Sequence, residues 1–367
     1  MEFPDVAEPG IDTLYIKRNL KDNTPTFFYF LKNNMTPEQF IPQEYLPQGY
    51  YPWPDLINPH FEQMGIDMNN WIDTDYSYLS EKSRMKYKKM GFNLCTARMV
   101  PKASYEQTIP CNRFVLNFVV MDDQMEFATL EEKIYDCDRG IEILQGAQPL
   151  PGENGIFQHL ALIRDEYKAF MPSVWLERFT ENLSRCFKYG VQEETPYKLA
   201  RRVPPLDYFM ILREYSVNMY PYLYWADIEA GFVLPKFIEE HPVIQRLRAL
   251  TSRIEAWQND FYSLRKELGL DTELMNLILV LKEGHKISLQ EAVSEAKRIH
   301  DADVAEFVGL HENLPDFGIH QQQVYDYVMS LGTILQGLNT HYIKDTERYL
   351  PGGAGFAWPE QQLNRTV

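Results

Sequence analysis

The 367-residue chain has 45% hydrophobic and 24% charged residues, proportions that are ordinary for a folded protein and argue against overall disorder. A formal net charge of -16 argues against nucleic-acid or anionic-membrane partners, because both are bound by clustered Lys and Arg. Four scattered cysteines without CxxC spacing, and no apolar run near the roughly 20 residues of a membrane-spanning helix, favour a cytoplasmic protein without membrane insertion.

The predicted secondary structure is helical after an irregular start. Six prolines lie between Pro37 and Pro59, and each fixes φ and removes a backbone donor, so residues 1–55 are predicted to be irregular. From residue 56 to 350 apolar residues recur at three- and four-residue spacings, as on helices, and 351–367 form a tail. We find no convincing strand pattern. The prediction is an all-α, single-domain bundle of roughly ten helices around a central cavity.

Local signals place some helix boundaries. Thr129 with Glu132, and Ser288 with Glu291, fit the capping box, in which a hydroxyl and a later carboxylate each accept a hydrogen bond from an unpaired N–H. Breaks are predicted at residues 149–155, 193–205, 284–286 and 314–318.

The first chemically informative segment is an apolar run, residues 117–121, that leads into the carboxylates Asp122, Asp123 and Glu126. On a helix Asp122 and Glu126 share one face, while Asp123 is turned by about 100°, so the group converges only at a helix end or on a cation. Carboxylate oxygens with room for water and phosphate are the ligands that Mg²⁺ prefers. An acidic helix end is more often a solvated surface, but the apolar run before it favours a site.

The second segment places Asn259, Ser263 and Glu267 at i, i+4 and i+8, one stripe along a helix face. An amide oxygen, a hydroxyl and a carboxylate supply only one negative charge. Such a set holds Mg²⁺ weakly until a diphosphate adds charge. A polar stripe of this kind is a solvated helix face in most proteins.

Together these segments resemble the aspartate-rich motif and the NSE triad of microbial class I terpene synthases. They stand in the family order, with Asn259 137 residues after Asp122. Asn58-Pro59-His60 with Trp71 resembles the family's N-terminal helix start, and Arg348-Tyr349 its C-terminal Arg-Tyr dyad. The resemblance covers roughly residues 55–350 and implies a class I terpenoid synthase-like fold.

The resemblance also implies a diphosphate-binding set. The family carries a diphosphate-sensing arginine about 46 residues before the NSE asparagine, and Arg213 stands at this position. Arg213 and Arg348 would hold phosphate oxygens bidentately, with Lys266 as a point charge and Tyr349 as a neutral donor.

Three Mg²⁺ ions are implied, with Mn²⁺ as an alternative. The implied metal ligands are Asp122, Asp123, Glu126, Asn259, Ser263 and Glu267. Among the carboxylates near residue 122, Asp122 is the strongest candidate, because Glu126 stands where many relatives have Asp. Other departures are Ser216-Val217-Asn218, where relatives often have Gly, and Tyr342, where they commonly have Trp.

Two aromatic residues are predicted to face the cavity and stabilise carbocations by cation–π contact. Phe118 lies one helical turn before Asp122 and therefore shares its face. The prediction for Tyr342 rests on the resemblance, because the family has an aromatic residue at this position.

The resemblance implies an enzyme that ionises a prenyl diphosphate and cyclises the carbocation, with farnesyl diphosphate as the family's commonest substrate. Geranyl and geranylgeranyl diphosphate remain open, as does the choice between monomer and homodimer. One alternative is a trans-prenyltransferase, which needs a second aspartate-rich motif, whereas the chain has one Asp-Asp pair. Another is a non-catalytic helical binding protein with the same fold.

Overall fold

The structure, a computed structural model, describes residues 35–126, 128–268 and 274–350. They belong to a compact unit that begins at Met35. The irregular segment predicted for residues 1–55 is therefore described only from residue 35, and the predicted tail at 351–367 lies outside the described residues. Between residues 35 and 60 the helical turns are only three or four residues long, as the prolines predict.

Helices account for all the regular secondary structure of the described residues, and the predicted all-α class is confirmed. The α-helices are α1 Pro42–Tyr45, α2 Phe61–Thr74, α3 Glu81–Lys88, α4 Phe92–Met99, α5 Tyr105–Met125, α6 Leu130–Leu144, α7 Gly155–Lys168, α8 Ser173–Cys186, α9 Gln192–Ala200, α10 Leu206–Ser216, α11 Trp225–Ala230, α12 Lys236–Glu239, α13 Pro242–Leu268, α14 Leu277–His285, α15 Leu289–Glu312 and α16 Gln321–Thr340. Two π-helical turns, Phe187–Val191 and His341–Asp345, continue α8 and α16. No helix in the described ranges is long and apolar enough to cross a membrane.

The two predicted capping boxes are present. Thr129 Oγ1 accepts a hydrogen bond from Glu132 N at 3.2 Å at the start of α6, and Ser288 Oγ accepts one from Glu291 N at 3.3 Å at the start of α15. The predicted breaks at 149–155 and 314–318 are confirmed by the gaps before α7 and α16. The break predicted at 284–286 lies two residues too early, because α14 continues to His285 and the gap before α15 is 286–288.

The predicted break at 193–205 is wrong in its first part, because α9 continues through Pro196 to Ala200. An internal proline costs a helix about 3 kcal/mol. Glu194 and Thr195 are buried on α9, so packing outweighs this cost. Thirteen helices of the described part have eight or more residues, against roughly ten predicted, since short helices such as α3 and α9 carry weak periodicity.

Helix α13 is the central element that positions the cavity. Sixteen of its 27 residues are buried, and it packs against α10, α14, α15 and α16. A helix that is enclosed on most sides presents even its polar residues to the interior. The polar stripe predicted from residue 259 onward therefore faces the protein, not bulk water.

Candidate active site

A cavity of about 280 Å³ lies between the C-terminal part of α5 and the C-terminal half of α13. Its lining includes every residue that the sequence predicted for the site. These residues are Phe118, Asp122, Asp123, Glu126, Arg213, Asn259, Ser263, Lys266, Glu267, Tyr342, Arg348 and Tyr349. Residues up to 231 positions apart in the chain, from 118 to 349, thus meet around one cavity.

The three carboxylates at the end of α5 have different surroundings. Asp122 is exposed to the cavity, and none of the described side chains donates a hydrogen bond to it. The protein atoms crowded around the cavity, and the neighbouring charge of Asp123, raise the pKa of Asp122 to about 6. Glu126 lies 3.7 Å from Lys198 Nζ on α9. Asp122 is therefore the carboxylate of this group most open to a cation.

Asp123 instead points toward α3, as its 100° offset from Asp122 predicts. Its Oδ2 accepts hydrogen bonds from Lys86 Nζ and Tyr87 OH, each at 2.9 Å. Burial would raise the pKa of Asp123, but the charges of Arg348 and Lys86 hold it below its usual value. One carboxylate oxygen of Asp123 is thus engaged by the protein, which leaves less of the side chain for a metal ion.

The stripe on α13 is held by neighbours on three other segments. Asn259 Oδ1 accepts a hydrogen bond from Arg213 Nη2 at 3.0 Å, and its Nδ2 donates to the hydroxyls of Tyr342 and Tyr349 at 3.2 and 3.3 Å. Glu267 Oε2 accepts a hydrogen bond from Asn276 Nδ2 at 2.7 Å, just before α14. These contacts fix the two ends of the stripe.

Ser263, in the middle of the stripe, is buried, and its hydroxyl oxygen has no hydrogen-bond partner among the described residues. An unpaired buried hydroxyl is costly and calls for a ligand. A cation held between Asn259 and Glu267 would satisfy it, and the amide, hydroxyl and carboxylate oxygens suit Mg²⁺. No three His, Cys, Asp or Glu side chains of the described residues converge as a metal site by themselves. The donor set fits a cation whose remaining ligands come from elsewhere.

Arg213, on α10, is buried against α13. Its Nε and Nη2 donate to Asp260 Oδ1 at 3.0 and 2.6 Å, and Asp260 Oδ2 accepts a hydrogen bond from Leu277 N at 2.7 Å. The ion pair and the buried setting hold the guanidinium at the cavity wall beside Asn259. Arg213 is thus a positive charge that is oriented before any ligand arrives.

The chain changes direction directly after α10, which ends at Ser216. Asn218 has a φ of 58°, in the left-handed region that a few residues such as Asn tolerate. The side-chain oxygens of Ser216 and Asn218 are buried without partners in the described structure, and both residues line the cavity.

The C-terminal segment contributes Tyr342, Arg348 and Tyr349. The ring of Tyr342 stacks on Tyr262 with centroids 4.8 Å apart and meets Tyr349 edge-on at 5.4 Å. The guanidinium carbon of Arg348 lies 6.0 Å from the ring centre of Tyr349. This segment places a cation and two aromatic hydroxyls opposite the acidic end of α5.

The wall nearest Phe118 is aromatic and apolar. Phe118 lies parallel to Phe187 at 6.4 Å and edge-on to Tyr222 at 6.2 Å, and Tyr222 also lines the cavity. Further apolar lining is supplied by Phe92, Cys95, Met99, Val115, Val119, Met219 and Leu338. The cavity therefore has a charged region and a hydrocarbon-like region.

Sequence reasoning missed several lining residues. Glu255 stands four positions before Asn259, so extending the i, i+4 stripe by one turn identifies it. No periodic pattern in the sequence identifies Lys198 and Glu194 as lining residues. These two side chains form an ion pair at 3.1 Å on α9. His341 precedes Tyr342 in the π-helical turn, and such turns have no recognisable sequence pattern.

The chain resembles known proteins both in sequence and in fold. Residues 113–306 match the family model for terpene synthase family 2, C-terminal metal binding. The chain is 24% identical over 304 residues to germacrene A synthase of Nostoc punctiforme, covering 81% of this chain and 93% of the relative. It is 27% identical over 271 residues to (+)-T-muurolol synthase of Roseiflexus castenholzii, covering 73% and 82%. The crystal structure of α-eudesmol synthase shares the fold, with a TM-score of 0.70 at 20% identity over 80% of this chain and 97% of that one.

Proposed function

The chain belongs to the microbial class I terpene synthases, and on this premise we propose that it ionises farnesyl diphosphate and cyclises the carbocation to a sesquiterpene. Two relatives support the choice of substrate class. One is a germacrene A synthase, and the other is described as cyclizing (2E,6E)-farnesyl diphosphate. The proposal rests on the cavity, because Asp122, the Asn259 stripe and aromatic side chains all line it.

The diphosphate is proposed to bind at the charged end of the cavity. Arg213 presents a guanidinium that is already oriented by Asp260, and Arg348 brings a second guanidinium from the C-terminal segment. Planar guanidinium groups bind phosphate oxygens bidentately, whereas Lys266 adds a point charge and Tyr349 a neutral donor. Together these groups draw negative charge onto the leaving group.

Asp122 on one side, and Asn259, Ser263 and Glu267 on the other, are the proposed ligands of Mg²⁺. Asp123 and Glu126 are proposed to support this set electrostatically, since each is engaged by a lysine. When bound, Mg²⁺ supplies positive charge to the departing diphosphate, so that the bond to carbon breaks without an acid catalyst.

The hydrocarbon chain is proposed to lie along the apolar wall. Phe118 and Tyr222 present ring faces and edges there, and Tyr342 closes the wall near Asn259. Aromatic ring faces attract a cation without reacting with it, and the apolar surroundings exclude the water that would quench it.

The test is incubation with geranyl, farnesyl and geranylgeranyl diphosphate in Mg²⁺, measuring diphosphate release and analysing extracts by gas chromatography. We expect release with farnesyl diphosphate together with a cyclic hydrocarbon or alcohol of fifteen carbons. Release should stop in EDTA and fall by on the order of 10²-fold or more in Asn259→Ala and Glu267→Gln. Normal release in EDTA would contradict the metal assignment.

Adding isopentenyl diphosphate separates the alternatives. Formation of a longer prenyl diphosphate would identify a trans-prenyltransferase. Binding of the diphosphates without any release would identify a non-catalytic binding protein. Either result would overturn the proposal.

A further inference from the structure

Glu255 is a buried carboxyl group in the cavity lining, and one of its two oxygens has no hydrogen-bond partner among the described residues. The side chain lies on α13 one turn before Asn259, is 5% exposed, and lines the cavity. Its Oε1 accepts a hydrogen bond from Tyr342 OH at 2.7 Å. Its Oε2 is buried without a partner in the described part of the chain. A buried carboxyl oxygen without a hydrogen-bond partner is unusual in a folded protein and needs an explanation.

Its position along the helix separates it from the stripe proposed to bind metal. Four residues correspond to about 6 Å along the helix axis, so Glu255 lies beyond Asn259 on the side away from Ser263 and Glu267. The cavity lining also includes Cys95 and Leu338, which are apolar in character. Glu255 therefore lies toward the region proposed for the hydrocarbon, and away from the region proposed for the diphosphate.

The surroundings favour the neutral form of the carboxyl group. Burial raises the pKa of Glu255 to about 8, and Asp260 adds to this, whereas the Tyr342 hydrogen bond and the charge of Arg213 act in the opposite direction. A neutral carboxyl group carries a proton that it can donate to a double bond, whereas a carboxylate has none. His341 also lines the cavity, but burial lowers its pKa to about 4, so it is uncharged at pH 7 and a poor acid.

Building on the proposed function, we propose that Glu255, a cavity-lining residue held by Tyr342, is a proton donor and acceptor within the cyclisation through its unpaired Oε2. It protonates a double bond of a neutral cyclic intermediate and later takes back a proton from the final cation. Tyr342 is the residue that positions it.

The first cyclic cation loses a proton from carbon to an oxygen of the released diphosphate, which leaves a neutral polyene. The O–H bond of Glu255 then breaks, its proton forms a C–H bond with one alkene carbon, and the positive charge moves to the other. The resulting carboxylate removes a proton from a carbon beside the last cation, which forms the product double bond and restores the acid.

The experiment is a farnesyl diphosphate incubation in D₂O with Mg²⁺, followed by mass spectrometry of the product and an assay of diphosphate release. The acid exchanges with solvent before substrate binds, so the parent product should carry one deuterium. Glu255→Gln keeps the size of the side chain and its acceptor for Tyr342 but has no acidic proton. We expect it to release diphosphate within about tenfold of the parent rate and to give a less cyclised hydrocarbon without deuterium.

Asp227→Asn is the matched control, because Asp227 on α11 is also buried, with a pKa raised to about 7 by burial, but is not part of the cavity lining. Its product should match the parent's, with one deuterium. A parent product without deuterium, or a deuterated product from Glu255→Gln, would overturn this inference while leaving the proposed function intact. Absence of diphosphate release from the parent would instead contradict the proposed function.

Discussion

The hydroxyl of Ser263 is buried without a hydrogen-bond partner in the described structure, which costs the folded protein stability. We predict that Ser263→Ala leaves the free energy of unfolding unchanged or slightly higher, because the unpaired group is gone. Diphosphate release should nevertheless fall by on the order of 10²-fold, since a proposed metal ligand is lost. Urea unfolding and a release assay measure the two effects.

Ser252→Ala is the matched control on the same helix. Its hydroxyl donates to the Glu214 carbonyl at 2.6 Å, so the variant should lose about 1 kcal/mol of stability and keep most of its activity. If Ser263→Ala behaved like this control, the serine would be structural.

Arg213 is predicted to be sensitive to replacement by lysine. An ammonium group keeps the charge but cannot contact Asp260 and a phosphate through a planar fork, so Arg213→Lys should reduce turnover by more than tenfold. Arg253→Lys serves as the comparison, because Arg253 donates through Nε and Nη2 to Asp303 at 3.0 and 3.1 Å but is absent from the cavity lining. Similar turnover of the two variants under saturating substrate would contradict the role in diphosphate binding.

Phe118 and Phe114 are one turn apart on α5, but only Phe118 lines the cavity. Replacing Phe118 by Leu keeps much of the volume and removes the ring quadrupole, so the product mixture should shift toward acyclic or monocyclic compounds. Phe114→Leu should lower the melting temperature and leave the product profile unchanged. Gas chromatography with thermal unfolding distinguishes these results, and an unchanged profile in Phe118→Leu would show that its ring only fills space.

At the scale of elements, the π-helical turn Phe187–Val191 packs directly against the end of α10. A Cβ added at Gly190 would lie 2.6 Å from the Cα and N of Ser216, which is too close for backbone atoms to accommodate. We predict that Gly190→Ala displaces α10, which carries Arg213, and therefore lowers both stability and turnover.

The control for this substitution is Gly309→Ala. Gly309 is exposed in α15 and a Cβ there meets nothing within 4 Å, so alanine should stabilise the helix by about 0.5–1 kcal/mol with unchanged turnover. Thermal unfolding and steady-state kinetics of the two variants give the comparison. If Gly190→Ala were as stable and as active as the parent, the close packing between the π-helical turn Phe187–Val191 and α10 would not be needed to position Arg213.

Elements differ in how much of the site their sequence reveals. The stripe on α13 and the acidic end of α5 follow from helical periodicity, because their members lie within a few turns of one another. Lys86 and Tyr87, which bind Asp123, lie on α3 more than 30 residues away, and only packing brings them there. The same holds for Lys198, whose helix α9 was predicted to be a break.

For the whole molecule, the sequence predicts an all-α protein with a cavity but not the number of helices. Helical periodicity is easy to detect in α13 and α15, since each exceeds 20 residues. It is weak in α3 and α4, which have eight residues each. The arrangement that joins α5, α10, α13 and the C-terminal segment depends on long-range packing. Family resemblance, not periodicity, supplied Arg213 and Arg348.

The hydrogen bond between Arg213 Nη2 and Asn259 Oδ1 has a consequence for how ligands assemble on the protein. Arg213 is proposed to bind the diphosphate, and Asn259 is proposed to bind Mg²⁺, so binding of either ligand competes with this hydrogen bond. Once one ligand has broken the hydrogen bond, the other residue is available to the second ligand. Thermodynamic reciprocity then requires that inorganic diphosphate tightens Mg²⁺ binding by the same factor by which Mg²⁺ tightens diphosphate binding. Calorimetric titrations in both orders measure this factor, after subtraction of the complex that the two ligands form in solution. In Arg213→Lys we expect this factor to fall, because the Arg213–Asn259 hydrogen bond is altered, but to stay above one, because the diphosphate still adds negative charge beside the metal.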